Sequence, residues 1–394
     1  MNLIRAAPGE YEKYFSKDFL AQIPPDKLTA ILAYYFSSLG PCMKAEPTTL
    51  ESPLAGKFNF VCQRASVPVN LAVDAAEPHL IADFLLGNPV SLSTSLDDLI
   101  KEFKTLPGES SFLVARLGNN QIEPVAAYNV DRQMAIGSAF KLYVLSELLR
   151  SVNKRERKWS DVLTLEPEAK SIPSGILQNW PVGSPFTLYT IAGLMISQSD
   201  NTAADQLLHF LGRENVEKML AVAGHSKPEL NMPFLSTLEM FRLKGEPGGT
   251  SARAFLSQTT PQRRAFLKDA VSQINKDTIS FPAQPSYIDS IEWFASATDL
   301  CRVMNWIRLN SESEPGMAAR DILSINLGLP ISKDKWKYAG YKGGSEPGVM
   351  NMTYLLQSKE GDWYALSASW NNPKAPVDQS KLVGLVGRGI QLIP

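Results

Sequence analysis

Strand-like segments lie at both ends of the stretch from residue 95 to residue 394, and helix-like segments fill its middle. The first end carries "SSFLVARLG" and "QIEPVAAYNV", which have the pattern of a two-stranded hairpin. The other end carries "KWKYAGYKGG", "GVMNMTYLLQS" and "DWYALSASWN", followed by the helix-like "QSKLVGLVGRGIQLI". Because separate strands bury their apolar faces by joining a sheet, we predict one antiparallel sheet assembled from both ends. A helical subdomain is then inserted between residue 138 and about residue 326.

The first ninety residues have helices before strands. "EYEKYFSKDFLAQI" and "KLTAILAYYFSSLG" show helical spacing, and Asp26 is a plausible N-cap of the second helix. Four strand-like runs follow, "PCMKAE", "KFNFVCQRA", "VPVNLAVDA" and "HLIADFLLG", and then "GNPVSLSTS", which has the composition of a linker. We therefore predict a small α+β domain over residues 1–92. Over residues 93–394 we predict a larger domain that is α/β in the broad sense of containing both helices and strands, and α+β in that its sheet is antiparallel.

Charge and hydropathy exclude several classes of function. The chain has 39 Lys and Arg against 40 Asp and Glu, and this balance argues against nucleic acid as the main partner. No apolar run approaches the ~20 residues that span a bilayer, so we expect no membrane span. The start, "MNLIRAAPGEYEKYF", has no apolar signal core. The protein is then either cytoplasmic or exported with a signal peptide that this chain does not carry.

Three cysteines are too few for a disulfide scaffold. Cys42 and Cys62 flank a hairpin-like segment, "MKAEPTTLESPLAGKFNFV". A disulfide between them would imply an oxidising compartment, and the alternative is two buried free thiols. The chain has no C-x-x-C motif and no His–Cys cluster, so we expect no zinc site.

The segment "GSAFKLYVLSELL" places Ser138 three residues before Lys141. At that spacing the two side chains share one face of a helix. A helix N-terminus favours a serine alkoxide, and a buried lysine has a lowered pKa and can act as a base. A tetrad of this kind also arises by chance, with the lysine as an ordinary helix residue.

Two further short motifs follow in the chain. Residues 199–201, S-D-N, precede the helix-like "TAADQLLHFL", and by themselves they are explained as a capping cluster. Residues 342–345, K-G-G-S, lie inside a strand-like segment. Two glycines weaken a strand unless something approaches its backbone closely, and a substrate lying along that edge is such a reason.

The three motifs, in this order and between strands at both ends, resemble class A β-lactamases and penicillin-binding proteins, whose signature is S-x-x-K, S-D-N and K-T-G. The likeness extends through "SIPSGILQNWPVGSPFTLYTIAGLMISQSDNTAADQLLHFLGRENVEKML" and covers the chain from about residue 94 to its end. It implies a β-lactamase/transpeptidase-like fold. It also implies acyl transfer from a β-lactam, peptide or ester substrate to a serine, with no cofactor and no metal.

The resemblance implies a role for each matching residue of the first two motifs. Ser138 is the expected nucleophile, and Lys141 is the group that accepts its proton. Ser199 is expected to relay a proton to the leaving nitrogen or oxygen. Asn201 is expected to bind the substrate's side-chain amide and to hold Lys141.

In the third motif, Lys342 is expected to attract the substrate carboxylate, and Gly344 is expected to lie along the substrate. The backbone N–H groups of Ser138 and Ser345 would form an oxyanion hole, worth about 3 kcal/mol per donor. The middle position departs from the family, because Gly343 stands where threonine is usual. The hydroxyl that helps to hold the substrate carboxylate is therefore missing there, and Ser345 is a candidate replacement.

The loop "HSKPELNMPF" departs further from the family. Class A enzymes carry a water-activating glutamate four residues before an asparagine, and counting back from Asn231 reaches Lys227. A cationic lysine cannot accept a proton, and because burying it next to Lys141 would disfavour both charges, we expect Lys227 to point to solvent. Glu229, two positions away, is the remaining candidate for a deacylation base. We therefore expect β-lactam hydrolysis with slow deacylation.

The N-terminal "FSKDFLAQIPPDKLTAIL" is similar to the extra domain of serine hydrolases related to a β-lactamase-like protein of the clavulanic acid cluster. That domain is a small cystatin- or NTF2-like α+β cone, and the resemblance implies a fold rather than an isomerase activity. For the whole protein, the alternatives to a β-lactamase are a penicillin-binding D,D-peptidase or esterase of the same fold and a non-catalytic binding protein. The resemblance favours a periplasmic or secreted location over a cytoplasmic one.

Overall fold

A computed structural model describes residues 8–62, 64–91, 95–119 and 121–394. The chain groups into two compact units, one reaching to Leu99 and including Asp378–Pro394, the other formed by Ile100–Val377. The boundary that we predict near residue 92 lies in 92–94, outside the described residues. The last helix groups with the N-terminal unit, whereas the sequence alone suggested that it continues the larger domain.

The α-helices are numbered in chain order. They are α1 (Lys17–Gln22), α2 (Pro25–Leu39), α3 (Leu96–Lys104), α4 (Lys141–Asn153), α5 (Leu188–Ser197), α6 (Asn201–Leu211), α7 (Arg213–Val222), α8 (Thr237–Gly245), α9 (Thr250–Leu256), α10 (Thr260–Asp269), α11 (Ala297–Leu309), α12 (Glu314–Ser324) and α13 (Gln379–Leu392).

The strands are numbered in the same way. They are β1 (Cys42–Ser52), β2 (Ala55–Cys62), β3 (Ala65–Val73), β4 (Ile81–Leu86), β5 (Val90–Ser91), β6 (Glu109–Leu117), β7 (Ile122–Tyr128), β8 (Met134–Ala135), β9 (Val162–Thr164), β10 (Pro185–Thr187), β11 (Phe294–Ala295), β12 (Trp336–Glu346), β13 (Val349–Ser358) and β14 (Trp363–Asn371).

The N-terminal unit is an antiparallel meander in the order β1-β2-β3-β4, with β5 paired to β3. Helix α2 packs against α13 within this unit. The first predicted helix is divided into a 3-10 turn, Pro8–Lys13, and α1, because the Ser16 hydroxyl caps α1 by accepting the Phe19 N–H at 3.2 Å. Helix α2 already begins at Pro25, so Asp26 lies inside its first turn and not before it.

Cys42 and Cys62 lie opposite each other in the β1–β2 ladder and form a disulfide, with their Cα atoms 3.6 Å apart. Of the two alternatives that the sequence left open, the structure contains the bonded one. Cys301, in α11, is a buried free thiol.

The larger unit contains a five-stranded antiparallel sheet in the order β12-β13-β14-β6-β7. Strands from the two ends of this unit meet where β14 pairs with β6, so the predicted assembly of the sheet is confirmed. Nearly every residue of β13 and β14 is buried. The polar residues of these strands are buried as well, and Asn351, Thr353, Ser367 and Ser369 form hydrogen bonds with one another.

Helices fill the middle of the larger unit, as predicted, around the almost wholly buried α4. Capping boxes start α8 at Ser236 and α11 at Ser296. In each box the serine hydroxyl accepts the backbone N–H of the acidic residue three positions later, and the carboxylate of that residue accepts the backbone N–H of the serine. The short ladder of β8 with β11 brings residues 294–295 beside residues 134–135, just before the S-x-x-K motif. Within the described ranges, no helix has the length and apolar character needed to cross a membrane.

Candidate active site

Ser138 lies in a 3-10 turn, Gly137–Phe140, that leads directly into α4. Gly137 has a φ of +49°, and a Cβ on it would lie 3.0 Å from the backbone nitrogen of Ser345. A Cβ on Gly344 would lie 2.3 Å from the backbone nitrogen of Ser138. Glycine is therefore required at both positions, since the backbone of β12 lies directly against the backbone of the serine. The two N–H groups expected to form the oxyanion hole belong to these facing segments.

The amine of Lys141 is buried at the centre of the site. Its Nζ lies 3.1 Å from Ser138 Oγ, 2.7 Å from Asn201 Oδ1, 2.7 Å from the Ser199 carbonyl oxygen and 3.2 Å from Ser199 Oγ. Burial lowers the pKa of Lys141 well below its usual value, nearby Lys342 lowers it further, and Asp205 opposes the shift. The structure thus brings together all four residues expected from the first two motifs.

The partners of Lys141 suit a neutral amine. The Asn201 side-chain oxygen and the Ser199 carbonyl oxygen can only accept hydrogen bonds, and they satisfy both N–H groups of a neutral amine. The hydroxyl of Ser138 can donate, so the nitrogen lone pair is free to receive its proton. This arrangement is chemically competent for general-base activation of a serine.

Asp200 determines the local structure around the S-D-N motif. Its carboxylate caps α6 by accepting the Ala203 N–H at 2.8 Å. The same carboxylate accepts the N–H groups of Ile176 and Leu177 at 2.7 and 2.9 Å. Ser199, just before it, has a φ of +54°, in the left-handed region that non-glycine residues seldom adopt. The cap therefore orients Ser199 toward the site, and the structural and functional interpretations of the motif are compatible.

Lys342 lies on β12 and is also buried. Its Nζ donates to Ser199 Oγ at 3.0 Å and to the Gly343 carbonyl oxygen at 2.5 Å. Burial lowers the pKa of Lys342 to about 7. A Cβ on Gly343 would lie 2.2 Å from the Tyr341 hydroxyl oxygen and 2.8 Å from the Asn351 carbonyl oxygen. There is thus no room for the threonine that the family usually has at this position.

The loop that carries Lys227 and Glu229 is held by its asparagine. The Asn231 side chain accepts the Phe294 N–H at 2.8 Å and donates to the Phe294 carbonyl oxygen at 2.9 Å. Lys227 is exposed, as expected, and Glu229 is exposed as well. In the described part of the chain, the hydrogen bonds of Lys141 involve the first two motifs and no residue of this loop.

Two groups of buried charge near the site were missed from the sequence. Asp205, on α6, accepts the N–H groups of Thr237 and Leu238 at 2.7 and 2.9 Å, and burial raises its pKa to about 6. The other group joins Lys244 to two glutamates. The available signal for Asp205 was an acidic residue in the middle of the helix α6. Lys244 had no such local signal. Among the described residues, no cluster of three His, Cys, Asp or Glu side chains could hold a metal ion.

Known proteins resemble this chain in sequence and in fold. Residues 91–280 match a family model described as the beta-lactamase enzyme family. A β-lactamase from Sphaerobacter thermophilus is 18% identical, with a TM-score of 0.51 over 76% of this chain and 97% of that one. A variant of PBP-A, in an acyl-enzyme complex with penicillin G, is 15% identical, with a TM-score of 0.51 over 77% and 98%. A β-lactamase from Chitinophaga pinensis is 15% identical, with a TM-score of 0.50 over 75% and 96%.

No curated relative matches the sequence significantly. At this level of identity the solved structures show the fold, which is that of the β-lactamases and penicillin-binding proteins. The predicted β-lactamase/transpeptidase-like fold is therefore confirmed, and the family match supports a serine hydrolase of this kind. The resemblance of the N-terminal unit to the clavulanic-acid-cluster group stays a prediction.

Proposed function

We propose that the protein is a serine hydrolase that forms an acyl-enzyme on Ser138. The observation that carries the proposal is the buried amine of Lys141, 3.1 Å from the Ser138 hydroxyl, with a pKa well below its usual value. A neutral amine at that distance can take the hydroxyl proton as Ser138 Oγ attacks the substrate's carbonyl carbon. The negative charge that develops on the carbonyl oxygen is stabilised by the N–H groups of Ser138 and Ser345.

The remaining steps use the other residues of the motifs. Ser199 Oγ lies within hydrogen-bonding distance of both Lys141 Nζ and Lys342 Nζ, so it can pass a proton to the leaving nitrogen or oxygen. Lys342, when protonated, attracts a substrate carboxylate. Asn201 holds Lys141 through its side-chain oxygen and binds a substrate amide, and the backbone at Gly344 lies along the substrate.

We propose β-lactam amides as substrates, with slow turnover, because a base for the second step is poorly provided. The deacylating water needs a proton acceptor, and the loop offers a cationic Lys227 and an exposed Glu229 as the candidate. The same observation favours a second candidate function, a D,D-peptidase or esterase whose acyl-enzyme is long-lived. No cofactor takes part in either scheme.

We further propose a periplasmic or secreted location. The disulfide between Cys42 and Cys62 supports it, since such bonds persist in oxidising compartments. The small substrate implied by the site requires neither nucleic acid nor a membrane as partner.

The test is mass spectrometry of the intact protein after incubation with a penicillin and with a fluorophosphonate. Wild type should gain one acyl or phosphonyl group on Ser138, and Ser138→Ala should gain none and should not hydrolyse a reporter ester. Ser257→Ala, which alters an exposed serine, is the control and should behave as wild type. A penicillin adduct that is lost slowly, with release of hydrolysed penicillin, indicates the proposed slow β-lactamase, and an adduct that persists indicates the peptidase or esterase. A wild-type protein that gains no adduct with either reagent would be a binding protein, contrary to the proposal.

A further inference from the structure

One lysine and two glutamates form a buried cluster at the end of β12, directly after Ser345. Lys244, on α8, places its Nζ 2.5 Å from Glu346 Oε1 and 3.3 Å from Glu292 Oε1. The Lys244 side chain is 4% exposed, Glu292 is fully buried and Glu346 is 13% exposed. Charges in such surroundings interact strongly because little water screens them. None of the three belongs to the motifs that define the site.

Glu346 connects the cluster to one side of the proposed oxyanion hole. It is the last residue of β12 and directly follows Ser345. Alternate side chains of a strand point to the same face, so Glu346 shares its face with Gly344 and Lys342. Gly344 presents that face to the backbone nitrogen of Ser138, and the β12–β13 register is regular through this region. The carboxylate of Glu346 is therefore directed toward the side of the sheet that carries the nucleophile.

Glu292 connects the cluster to the other side of the hole. Its Oε2 accepts the backbone N–H of Trp293 at 2.9 Å. The carbonyl oxygen of Trp293 in turn accepts the N–H of Ile136 at 3.0 Å, two residues before Ser138. The Trp293 ring stacks on the Phe140 ring with centroids 3.8 Å apart, two residues after Ser138. Glu292 thus holds Trp293 in place, and Trp293 contacts the turn of the nucleophile both before Ser138 and after it.

We propose that Lys244 is a positioning residue which, by pairing with Glu346 and Glu292 at once, holds the Ser345 and Ser138 N–H groups at the separation that an oxyanion requires. The inference rests on the proposed function of those two N–H groups. Lys244 joins Glu346, which follows Ser345, to Glu292, which precedes the Trp293 that holds the turn of the nucleophile. An error of about 1 Å in such a site costs on the order of 100-fold in rate.

The charge balance explains why a lysine is needed there. Burial raises the pKa of Glu346, the Glu292 carboxylate raises it further, and Lys244 opposes both effects. The charged groups that act on the Glu346 carboxyl are thus Glu292, from the segment before β11, and Lys244, from α8. Without the lysine, two buried carboxylates would face each other and repel whenever both are ionised.

The experiment compares Lys244→Met, Lys244→Arg and the control Lys268→Met, which removes an exposed lysine of α10. Ester hydrolysis is followed from pH 6 to pH 9. We expect Lys244→Met to lower kcat by about 10- to 100-fold, with KM changed by less than about threefold. The ratio of mutant to wild-type kcat should fall as the pH rises, because Glu346, whose pKa burial and the Glu292 carboxylate raise to about 8, then ionises without a lysine beside it. Lys244→Arg should recover most of kcat, and Lys268→Met should match wild type.

Two results would overturn the proposal: an unchanged kcat in Lys244→Met, or a loss that is the same at every pH and is not recovered by arginine. If Lys244→Met does not fold, Glu346→Gln replaces it. That variant weakens the pairing without changing shape, and a pH-independent kcat equal to wild type would likewise reject the proposal. If wild-type protein forms no adduct on Ser138, the proposed function fails by itself. Amide hydrogen exchange of the segment around Ser345 then decides, since faster exchange in Lys244→Met supports the positioning role and unchanged exchange rejects it.

Discussion

At the scale of single residues, two buried lysines meet at one hydroxyl group. Ser199 Oγ lies 3.2 Å from the amine of Lys141 and 3.0 Å from that of Lys342. Burial disfavours both positive charges, and the two amines also repel each other. In the proposed mechanism Lys141 is neutral, because it accepts the Ser138 proton, so Lys342 is the amine that can carry the positive charge.

This difference predicts how substrate binding depends on pH. Burial lowers the pKa of Lys342 to about 7, so its positive charge is present below that pH and is lost as the pH rises through it. Each pH unit above the pKa reduces the protonated fraction about tenfold. For an ester with a carboxylate, we expect KM to rise by about 10- to 50-fold between pH 7 and pH 9. Steady-state kinetics measure this rise.

An ester of the same shape without the carboxylate is the matched control for Lys342. Its KM should stay nearly constant over the same pH range, since it carries no charge for the lysine to attract. Equal pH dependence for the two esters, or none for either, would contradict a role of Lys342 in binding the carboxylate.

At the scale of elements, the loop over residues 225–234 determines whether the acyl-enzyme is turned over. Lys227 precedes the 3-10 turn Pro228–Asn231, and its side chain is exposed. We expect a burst of product with a penicillin, followed by slow steady-state hydrolysis. Lys227→Glu should raise the steady-state rate by about tenfold or more, since a general base contributes about 10²- to 10⁴-fold when well placed. Stopped-flow absorbance separates the burst from the steady state.

Glu229→Gln is the companion of that variant. Because Glu229 is exposed, we expect the substitution to change the steady-state rate by less than about twofold. A large loss would show that Glu229 is the base. Hydrolysis without a burst in wild type would mean that deacylation is efficient and that the base lies elsewhere.

Much of the architecture was predictable from local patterns, and the features that could not be predicted share a physical cause. The β6–β7 hairpin, the strands β12–β14 and the cap of α6 each have a signal within a dozen residues, and each forms as predicted. The pairing of Lys244 with Glu292 and Glu346 spans 48 and 102 residues. Nothing in the sequence near any of these residues indicates such partners, because only the folded chain brings them together.

The position of Gly343 shows the same limit. The sequence shows that the usual threonine is missing and that its hydroxyl group is lost, but it gives no reason for the glycine. The structure adds the reason, since the Tyr341 hydroxyl and the Asn351 carbonyl oxygen occupy the space that a side chain would need. The divided first helix has a comparable cause, because the cap made by Ser16 competes with helix continuation and is not visible in apolar spacing.

At the scale of the whole molecule, the chain leaves the N-terminal unit near Leu99 and returns to it at Asp378. The N-terminal unit therefore includes the last helix of the protein, α13, which packs against α2 within it. A unit assembled from both ends of a chain depends on contacts of large sequence separation, which are late and slow to form. Removing the C-terminal segment is thus expected to lower the stability of the N-terminal unit.

Leu385→Ala tests this dependence. The side chain lies in α13 and is 1% exposed, so its truncation should lower the free energy of unfolding by about 2 to 5 kcal/mol. Urea denaturation measures the loss, and hydrogen exchange should show faster exchange in α2. Gln379→Ala, at an exposed position in the first turn of the same helix, should change the stability by less than about 0.5 kcal/mol. A Leu385→Ala protein as stable as wild type, with unchanged exchange in α2, would show that α13 is not needed by the N-terminal unit.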